Sequence, residues 1–487
     1  MSEKQISRRA LLRGAAITSA AAVLAACQPK VVEKIVEVER EVPVEVIKEV
    51  EVEREVPVEV IKEVEVEKAD QQVTVRYHCR AGAVLPPSSE FPTHQNRLFE
   101  FNEEHPEIRV IREDIANTTL HDYYVKLYTM IAGGTVGDMT WNHQSDCDHH
   151  RLSYEGVLAP IDDYMESDGV SEDEWWEAGM ANARFEGKLT GLPMCTHPGC
   201  QAFLFFNQTM FEEAGLRIPN SDDYTIEELH DACAVLTKGD PTNREVYGLD
   251  PFHRFSGSQT HEGWMRAFAG HTFVDDEGKT SLMNTEGALE WAKFGYDLYN
   301  TDVYAPQAEA LPSGGLIAMF AAGRIAAFQS GTWSIRTSLA AVGDNFKEGI
   351  ELFPIGPAKR GTGNYLDTFA MIERNQAAEV RDATWLLQRA FTDQRCGYLQ
   401  IKLSGSLPGR GDFMEFDDVA SDPIVQISHR AIMEAEPQFM LHNFRGAEHA
   451  LTMNNLLGAM WLGEQEPTQA YMESVQKACQ DILDRPR

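Results

Sequence analysis

The stretch "EIRVIREDIANTTLHDYYVKLYTMIAGGTVGDMTWN", residues 107–142, decides the fold class. It starts with a short strand pattern, continues with a helical spacing of apolar residues that ends at Gly133 and Gly134, and closes on a second strand pattern. Upstream, "QQVTVRYHC" (71–79) predicts a strand and residues 93–104 predict a helix. The order is β-α-β-α-β, which predicts an α/β protein built on doubly wound sheets.

The side chains that follow these strands mark the expected binding site. Ligands of doubly wound sheets bind outside the carboxyl ends of the strands. In this chain, that edge receives Cys79 and Arg80 after the first strand and the residues from Trp141 to Asp148 after the third. We therefore expect a ligand to contact these segments.

The N-terminal segment "SRRALLRGAAITSAAAVLAAC", residues 7–27, has an arginine pair, an apolar run and small residues before a cysteine. It resembles a twin-arginine export signal, and residues 24–27 resemble a lipobox, whose cysteine is lipidated and becomes the new N-terminus. An apolar run this short does not span a bilayer stably. The resemblance implies that residues 1–26 are a signal peptide and that a lipidated Cys27 anchors the rest of the chain outside the cytoplasm.

Residues 27–71 are dominated by a tandem repeat. "EVEREVPVEVIKEV" occurs at 37–50 and again at 51–64, a period of two heptads that is compatible with a coiled coil. Pro43 and Pro57 oppose a helix, because each removes a backbone donor and clashes with the preceding turn. The Val/Glu alternation could pair as strands, but the segment has no core to bury against. We interpret it as a stalk that carries the rest of the chain.

Residues 72–487 are too many for one ordinary core and suit two lobes. The formal net charge of the chain is −33, which repels nucleic acid and anionic lipid headgroups and excludes both as partners. No stretch in this part approaches the ~18 apolar residues of a membrane-spanning helix. We expect a monomer that touches the membrane only through its lipid anchor and carries no cofactor.

Cysteine usage leaves a question open. The chain has eight cysteines, and with Cys27 committed to lipid an odd number remains in an oxidising compartment, so at least one thiol should stay free. Cys233 and Cys479 lie on helix patterns beside alanines and are expected in the core. Four others are expected at strand ends or in loops and allow three disulfide pairings: Cys79, Cys147, Cys195 and Cys200.

Seven phrases in a fixed order carry a family resemblance. "VGDMTWN", "YEGVLAPIDDYM", "FEGKLTGLPM" and "LFFNQTMFEEAGLRIPN" follow one another between residues 136 and 220; "GRIAAFQSGTWSIR", "FPIGPAKRGTGNYLDTFAM" and "GSLPGRGDF" follow between 323 and 413. Together they resemble the extracellular solute-binding proteins of ABC importers, in particular the sugar-binding family that includes maltose-binding proteins. This chain departs from the pattern in having Gly137 where proline is usual and Phe205-Phe206 for the aromatic pair.

The resemblance implies a carbohydrate site between two lobes. A pyranose presents an apolar C–H face and a rim of hydroxyls, so its receptor needs flat aromatic rings and fixed polar groups in a water-excluding cleft. In relatives the tryptophan at the position of Trp333 stacks on sugar; the alternative is a core residue under the helix that follows. Trp141 is a second candidate ring. Asp146 is the preferred hydroxyl acceptor, unless it only caps a helix.

Other candidate contacts come from loops that the resemblance places near the cleft. His197 lies just past the first crossing between lobes, where relatives have a polar ligand contact. Asn443 and Arg445 precede the final helices, and Arg445 could instead be a surface ion-pair partner. Trp264 and Tyr365 complete the set, with core packing and hinge structure as their respective alternatives.

Short motifs in the chain suggest competing functions as an enzyme or a metal binder. "GKTS" (278–281) lacks the first glycine of a phosphate loop and reads as a hairpin turn, and Ser474-x-x-Lys477 lacks the companion motifs of penicillin-recognising enzymes. A secreted metal receptor or metal-dependent hydrolase is the more serious alternative. Its ligands would come from two loops that contain soft donors: Cys147, His149, His150, Cys195, His197 and Cys200.

The sequence therefore predicts two doubly wound α/β lobes around a ligand cleft. The lobes close on a carbohydrate by hinge bending and present it to the permease of an ABC importer, without breaking a bond. Crossings between the lobes are expected near 192–195, 363–367 and 407–410. The predicted boundaries are 72–194 plus 365–408 for the N-lobe and 195–364 plus 409–487 for the C-lobe.

Overall fold

A computed structural model describes residues 72–80, 91–116, 120–143, 148–198, 202–250, 258–307, 315–437 and 443–486. These residues belong to one compact unit, Val66–Arg487. The predicted signal peptide, Cys27 and the Val/Glu repeat lie outside the described residues.

Three sheets are built from the described strands. In chain order the strands are β1 (Val73–Arg80), β2 (Ile108–Ile115), β3 (Met139–His143), β4 (Arg184–Phe185), β5 (Lys188–Leu189), β6 (Leu192–Pro198), β7 (Phe203–Asn207), β8 (Lys238–Asp240), β9 (Asn243–Asp250), β10 (Ile325–Ser330), β11 (Glu348–Leu352), β12 (Gly363–Met371), β13 (Leu407–Pro408) and β14 (Glu436–Pro437). The first sheet has seven strands in the order β13-β6-β12-β3-β1-β2, with β14 also paired to β12. The second has five, β11-β7-β10-β9-β8, and β4 and β5 form a separate hairpin.

The described helices connect and cover these sheets. They are α1 (Phe91–Glu104), α2 (Leu120–Ala132), α3 (Asp148–Tyr154), α4 (Asp162–Ser167), α5 (Glu177–Ala183), α6 (Gln208–Glu213), α7 (Ile226–Leu236), α8 (Ser258–Ala269), α9 (Glu286–Tyr296), α10 (Gly315–Ala321), α11 (Ile335–Val342), α12 (Ala378–Ala390), α13 (Gln394–Leu403), α14 (Asp417–Ala420), α15 (Pro423–Met433), α16 (Gly446–Trp461) and α17 (Gln469–Leu483). Within the described ranges, no helix combines the length and the apolar character that crossing a membrane requires.

The β-α-β-α-β prediction for the start of the folded part is confirmed. Strands β1, β2 and β3 are joined by α1 and α2, and β1 pairs in parallel with both of the other strands. Val75, Tyr77 and Cys79 of β1 are buried, with Tyr77 packed edge-on against Phe391 at 5.3 Å between ring centroids. This packing is what the alternating pattern of a strand covered by helices requires.

The glycine that replaces the family's usual proline has a structural reason. The backbone N–H of Gly137 donates a hydrogen bond of 2.7 Å to Nε2 of the buried His78, whose Nδ1 lies 3.2 Å from the carbonyl oxygen of Glu113. A Cβ at Gly137 would come within 2.6 Å of the carbonyl oxygen of Arg76. Proline would remove the donor and collide with β1, so glycine fits this close approach.

Each large sheet has its own hydrophobic core. The first sheet buries Tyr77, Tyr123 and Phe369 among the residues of one cluster. The second sheet separates two clusters, one of which contains Phe205 stacked on Phe328 at 4.7 Å and the other Trp264. The two large sheets are each covered by helices and have separate cores, which confirms the predicted α/β fold class of doubly wound lobes.

The chain crosses between the two large sheets at the edges where their parallel strands end. In the first sheet, β6 ends at the edge where β1 and β3 end, because β12 is antiparallel to both β3 and β6. From Pro198 the chain continues to β7, which starts opposite Ser330, the last residue of β10. It returns from the end of β11 to the start of β12. The carboxyl edges of the parallel strands in the two sheets are therefore joined by both crossings.

Smaller predictions are also tested by the described residues. The hairpin expected around "GKTS" is confirmed by a bridge between Val274 and Ser281. Cys233 and Cys479 are buried free thiols in the core, as predicted. Cys195, in contrast, was expected at a strand end or in a loop and lies in the middle of β6, because that strand continues to Pro198 between two partner strands. Cys147 and Cys200 lie outside the described residues, so the disulfide pairing stays a prediction.

Candidate functional site

The carboxyl edge of the first sheet carries an aromatic and charged cluster. The guanidinium carbon of Arg80 lies 4.7 Å from the ring centroid of Trp141, a cation–π contact. Tyr123 lies edge-on to Trp141 at 5.4 Å and the ring of His143 lies at 5.8 Å, so only 2% of the tryptophan is exposed. Trp141 thus forms part of the wall behind Arg80 in this conformation, and the half-buried arginine lies nearer to solvent.

A buried carboxylate links the strands at the same edge. Asp367, on β12, is 1% exposed and lies between the side chains of Cys195 and His143. The thiol of Cys195 donates a hydrogen bond of 3.3 Å to one carboxylate oxygen, and Nε2 of His143 lies 3.6 Å from the other. Tyr124 fixes His143 further by donating to its carbonyl oxygen at 2.9 Å. The edge is therefore held rigid by polar contacts that a merely apolar core would not contain.

Trp333 lies at the carboxyl edge of the second sheet. It belongs to a short 3-10 turn, Thr332–Ser334, directly after β10, and its side chain is neither fully buried nor fully exposed. A Cβ on Gly331 would come within 2.1–2.6 Å of three atoms of the indole, so the ring lies flat on the glycine backbone. Glycine at 331 is what lets the indole lie in this position. β10 is parallel to β9, and Asp250, the last residue of β9, pairs with Phe328 of β10. The two strands therefore end at the same edge of the sheet.

An ion network connects α8 to the second crossing. Arg266 is almost fully buried and donates to Oε1 of Glu262 at 2.8 and 2.9 Å and to Glu436 on β14. Lys359, on the crossing itself, bonds the other oxygen of Glu436 at 2.5 Å. Sequence reasoning missed this network, because Glu262 and Arg266 are spaced like an ordinary exposed pair on a helix.

Three predicted site residues have packing or capping contacts. Trp264 is 0% exposed, stacks with Phe294 at 5.3 Å, meets Phe353 edge-on at 4.7 Å and donates its indole N–H to Gln329. Asn443 donates to the carbonyl oxygen of Gly278 at 2.9 Å. Arg445 bonds Glu448 at 2.5 Å and the carbonyl oxygen of Pro486 at 2.8 Å, and it precedes the first residue of α16.

The residue between Asn443 and Arg445 has a different set of contacts. Phe444 meets Tyr154 edge-on at 5.3 Å, and Tyr154 meets Phe185 at 4.3 Å. Phe444 could not be chosen from the sequence, because a single phenylalanine in a loop has no periodicity to interpret. This aromatic cluster brings together three segments that are distant in the sequence.

The remaining predicted contacts are only partly described. Asp146 lies outside the described residues. His197 and Tyr365 are backbone partners on β6 and β12, at the amino-terminal half of β12 and close to the crossing. The register brings these two positions side by side at the edge where Trp141 and Asp367 lie.

One of the histidines proposed as metal ligands, His149, has structural contacts. His149 is fully buried, with Nε2 at 3.1 Å from the hydroxyl of Thr190 and Nδ1 at 3.0 Å from that of Thr368, and burial lowers its pKa to about 4. The part of the chain that the structure describes contains no group of three or more residues arranged to hold a metal ion. Both nitrogens of His149 are occupied in hydrogen bonds, which a ligand imidazole would have to break on at least one side.

The fold and the facing edges define a two-lobe binding protein. Residues 88–387, more than half of the chain, match the family model described as bacterial extracellular solute-binding protein. The chain belongs to this family. A comparison with curated protein sequences found no significant match.

Solved structures share the fold at low sequence identity. The ABC substrate-binding protein Lmo0181 from Listeria monocytogenes, solved with cycloalternan, is 17% identical, with a TM-score of 0.70 over 85% of this chain and 99% of that one. The GacH receptor of Streptomyces glaucescens, solved unliganded and with acarbose, is 18% identical, with a TM-score of 0.70 over 85% of this chain and 100% of that one. UgpB from Mycobacterium tuberculosis, solved with glycerophosphocholine, is 17% identical, with a TM-score of 0.69 over 85% and 98%.

Proposed function

We propose that this protein captures a carbohydrate between its two lobes outside the cytoplasm and delivers it to the permease of an ABC importer. The observation that carries the proposal is Trp333, a partly exposed indole held flat on Gly331 at the edge of the second sheet from which the chain crosses to the first. An aromatic face fixed in this way matches the apolar face of a pyranose. The cycloalternan and acarbose complexes of structurally similar proteins support a carbohydrate.

The proposed site combines this ring with polar groups at the facing edge. Tyr365 near the start of β12, His197 near the end of β6 and Asp146 after β3 contact the hydroxyl groups of the sugar. Trp141 supports the wall of the site. Trp264, Asn443 and Arg445 are assigned supporting roles, because their described contacts hold the second lobe together.

The lobes are proposed with the boundaries predicted from the sequence, 72–194 plus 365–408 and 195–364 plus 409–487. Closure by hinge bending would exclude water from the bound sugar and present both lobes to the permease. No bond is made or broken in this function, so the protein acts as a receptor, and we propose that it is a monomer. The competing reading as a metal receptor or hydrolase has no support, since His149 is committed to two threonines.

A thermal-shift screen tests the carbohydrate proposal. The purified protein is heated with a panel of mono- and oligosaccharides, amino acids, glycerophosphocholine and divalent metal ions. A ligand at 100 times its Kd stabilises the folded state by about 2.7 kcal/mol, so we expect a clear rise in Tm with at least one saccharide. A rise with metal ions or amino acids alone, or with no compound of the panel, would contradict the proposal.

The anchor is proposed to be a lipid on Cys27, preceded by a twin-arginine signal and followed by the repeat stalk. The arginine pair, apolar run and small residues before the cysteine support it. We expect mass spectrometry of the membrane-extracted protein to give an N-terminal peptide that starts at a diacylated Cys27. Cys27→Ser should release the protein from the membrane with unchanged ligand affinity, and an unmodified thiol or cleavage elsewhere would contradict the anchor.

A further inference from the structure

Two adjacent grooves lie on the surface formed by residues 162–176. The first, which we call the Trp175 groove, has a volume of about 460 Å³ and is lined by Ser171, Asp173, Glu174, Trp175, Trp176, Gly411 and Asp412. The second has a volume of about 370 Å³ and is lined by Asp162, Met165, Glu166, Val170, Glu172 and Leu189. None of these residues belongs to the proposed sugar site.

Trp175 is fixed within the first groove by two arginines. The guanidinium carbons of Arg410 and Arg389 lie 4.9 and 5.3 Å from its ring centroid. Glu174 bonds Arg410 at 2.6 Å and lies 3.5 Å from Arg389. Although the tryptophan is only 4% exposed, its indole N–H finds no hydrogen-bond acceptor within the described ranges.

Trp176 is held equally firmly but is more exposed than Trp175. Its indole N–H donates to the carbonyl oxygen of Pro408 at 3.0 Å, and a Cβ on Gly411 would come within 2.9 Å of its ring. A ring that is already fixed loses little conformational entropy when a partner covers it. Fixed Trp, Tyr and Arg side chains in fully packed surroundings are the residue types that dominate protein interfaces.

The surface around both grooves is strongly acidic. Residues 162–177 contain eight acidic side chains and no basic one. Five of them are exposed and form no ion pair with any described residue: Asp163, Glu166, Asp168, Asp173 and Glu177. Such a rim attracts a basic partner and repels nucleic acid and anionic lipid.

We propose that the Trp175 groove docks a basic extracytoplasmic loop of the importer's membrane subunits. The apolar part of the loop covers the half-buried Trp176, and its lysine or arginine side chains meet the acidic rim. The identity of the partner rests on the proposed function. The groove also follows directly on β13, which pairs with β6, so the docked loop lies close to the first crossing.

Photo-crosslinking in cells tests this docking surface. p-Benzoylphenylalanine is placed at exposed position 166, which lines the second groove, and for comparison at exposed position 240, the last residue of β8. We expect position 166 to crosslink to a peptide of a transmembrane importer subunit that contains lysine or arginine, and position 240 to give no such product. Equal products at both positions, or crosslinks only to lipid or to a second copy of this chain, would overturn the proposal.

A charge reversal separates docking from ligand capture. Asp173→Lys should reduce the crosslink at position 166 and the uptake of the saccharide found by thermal shift at least tenfold, with its affinity in solution changed less than twofold. Asp240→Lys, which adds the same charge to a distant exposed strand end, should leave all three unchanged. Full uptake by Asp173→Lys would refute the docking surface. If no saccharide binds in solution, the carbohydrate proposal fails, and the crosslink still decides the docking surface.

Discussion

Lowering the pH from 7 to 5 should lower the thermal midpoint of this protein by roughly 10 °C, because its buried histidines stay neutral in the folded state while those of the unfolded chain take up protons. Burial lowers the pKa of His94 and His261 to about 3 and that of His149 and His449 to about 4. In the unfolded chain a histidine has a pKa near 6.5.

The sign of the effect follows from proton counting. Between pH 6.5 and about 4 the unfolded chain binds more protons than the folded one, so the free energy of unfolding falls as the pH falls. At pH 5 each of the four histidines costs about 2 kcal/mol, which together approaches the whole stability of a typical protein of ~5–15 kcal/mol. Relief of the self-repulsion of a chain with a charge of −33 opposes the loss, so a single variant is needed to isolate the histidine contribution.

His449 offers that variant. It is buried on α16, and neither ring nitrogen finds a hydrogen-bond partner among the described residues. His449→Leu removes the titrating group at similar volume, and we expect it to gain about 2 kcal/mol over the wild-type protein at pH 5 beyond any difference at pH 7. Leucine at the partly exposed His105 is the control. Calorimetry at pH 7, 6 and 5 measures the effect; equal pH slopes for wild type and His449→Leu would contradict it.

Replacing Trp264 with alanine should reduce stability, whereas replacing Trp333 with alanine should reduce ligand affinity. Trp264→Ala removes a fully buried indole that packs on Phe294 and Phe353 and leaves Gln329 without its donor. We expect it to lower the free energy of unfolding by about 3–5 kcal/mol, with or without ligand. Trp333→Ala should leave the Tm of the unliganded protein nearly unchanged and weaken saccharide binding by about 2–4 kcal/mol, a loss of roughly 30- to 1000-fold in affinity.

Gly331→Ala is the matched variant for Trp333. A Cβ at 331 would collide with the indole, so the ring must move although it is still present. We expect a loss of affinity of the same direction as in Trp333→Ala, with a small effect on the Tm. Calorimetry measures stability, and titration of the saccharide identified by thermal shift measures affinity. If Trp333→Ala folds well and binds with wild-type affinity, Trp333 is not a sugar platform, and Trp141 becomes the ring to test.

Much of the fold could be predicted because it depends on local patterns. In residues 71–142 the apolar residues are spaced as each strand or helix requires to bury one face. The structure confirms these elements. The hairpin at Val274 and Ser281 was readable because Gly278 lies in a short polar turn between apolar residues. The burial of Cys233 and Cys479 followed from their position on apolar helix faces.

The candidate site was less predictable, because its residues are brought together only by the pairing of distant strands and by the crossings between the sheets. Asp367, His143 and Cys195 lie on three strands that are far apart in the sequence, and their spacing along the chain does not predict that they are in contact. Glu262 and Arg266 looked like an exposed helix pair and are buried against β14. Phe444 contacts Tyr154, whereas the polar residues on either side of it were the predicted ligand contacts.

The sequence by itself determined the class of protein: the β-α-β-α-β order, the seven phrases of the family and the departure at Gly137 are properties of consecutive residues. Only the tertiary structure decided which aromatic rings are available. The sequence does not distinguish Trp141, Trp264 and Trp333. In the structure Trp141 and Trp264 are enclosed by neighbours from other strands and helices, whereas Trp333 lies on a glycine at the edge of its sheet. Burial depends on which distant segments cover a side chain, and that is settled only when the two sheets pack.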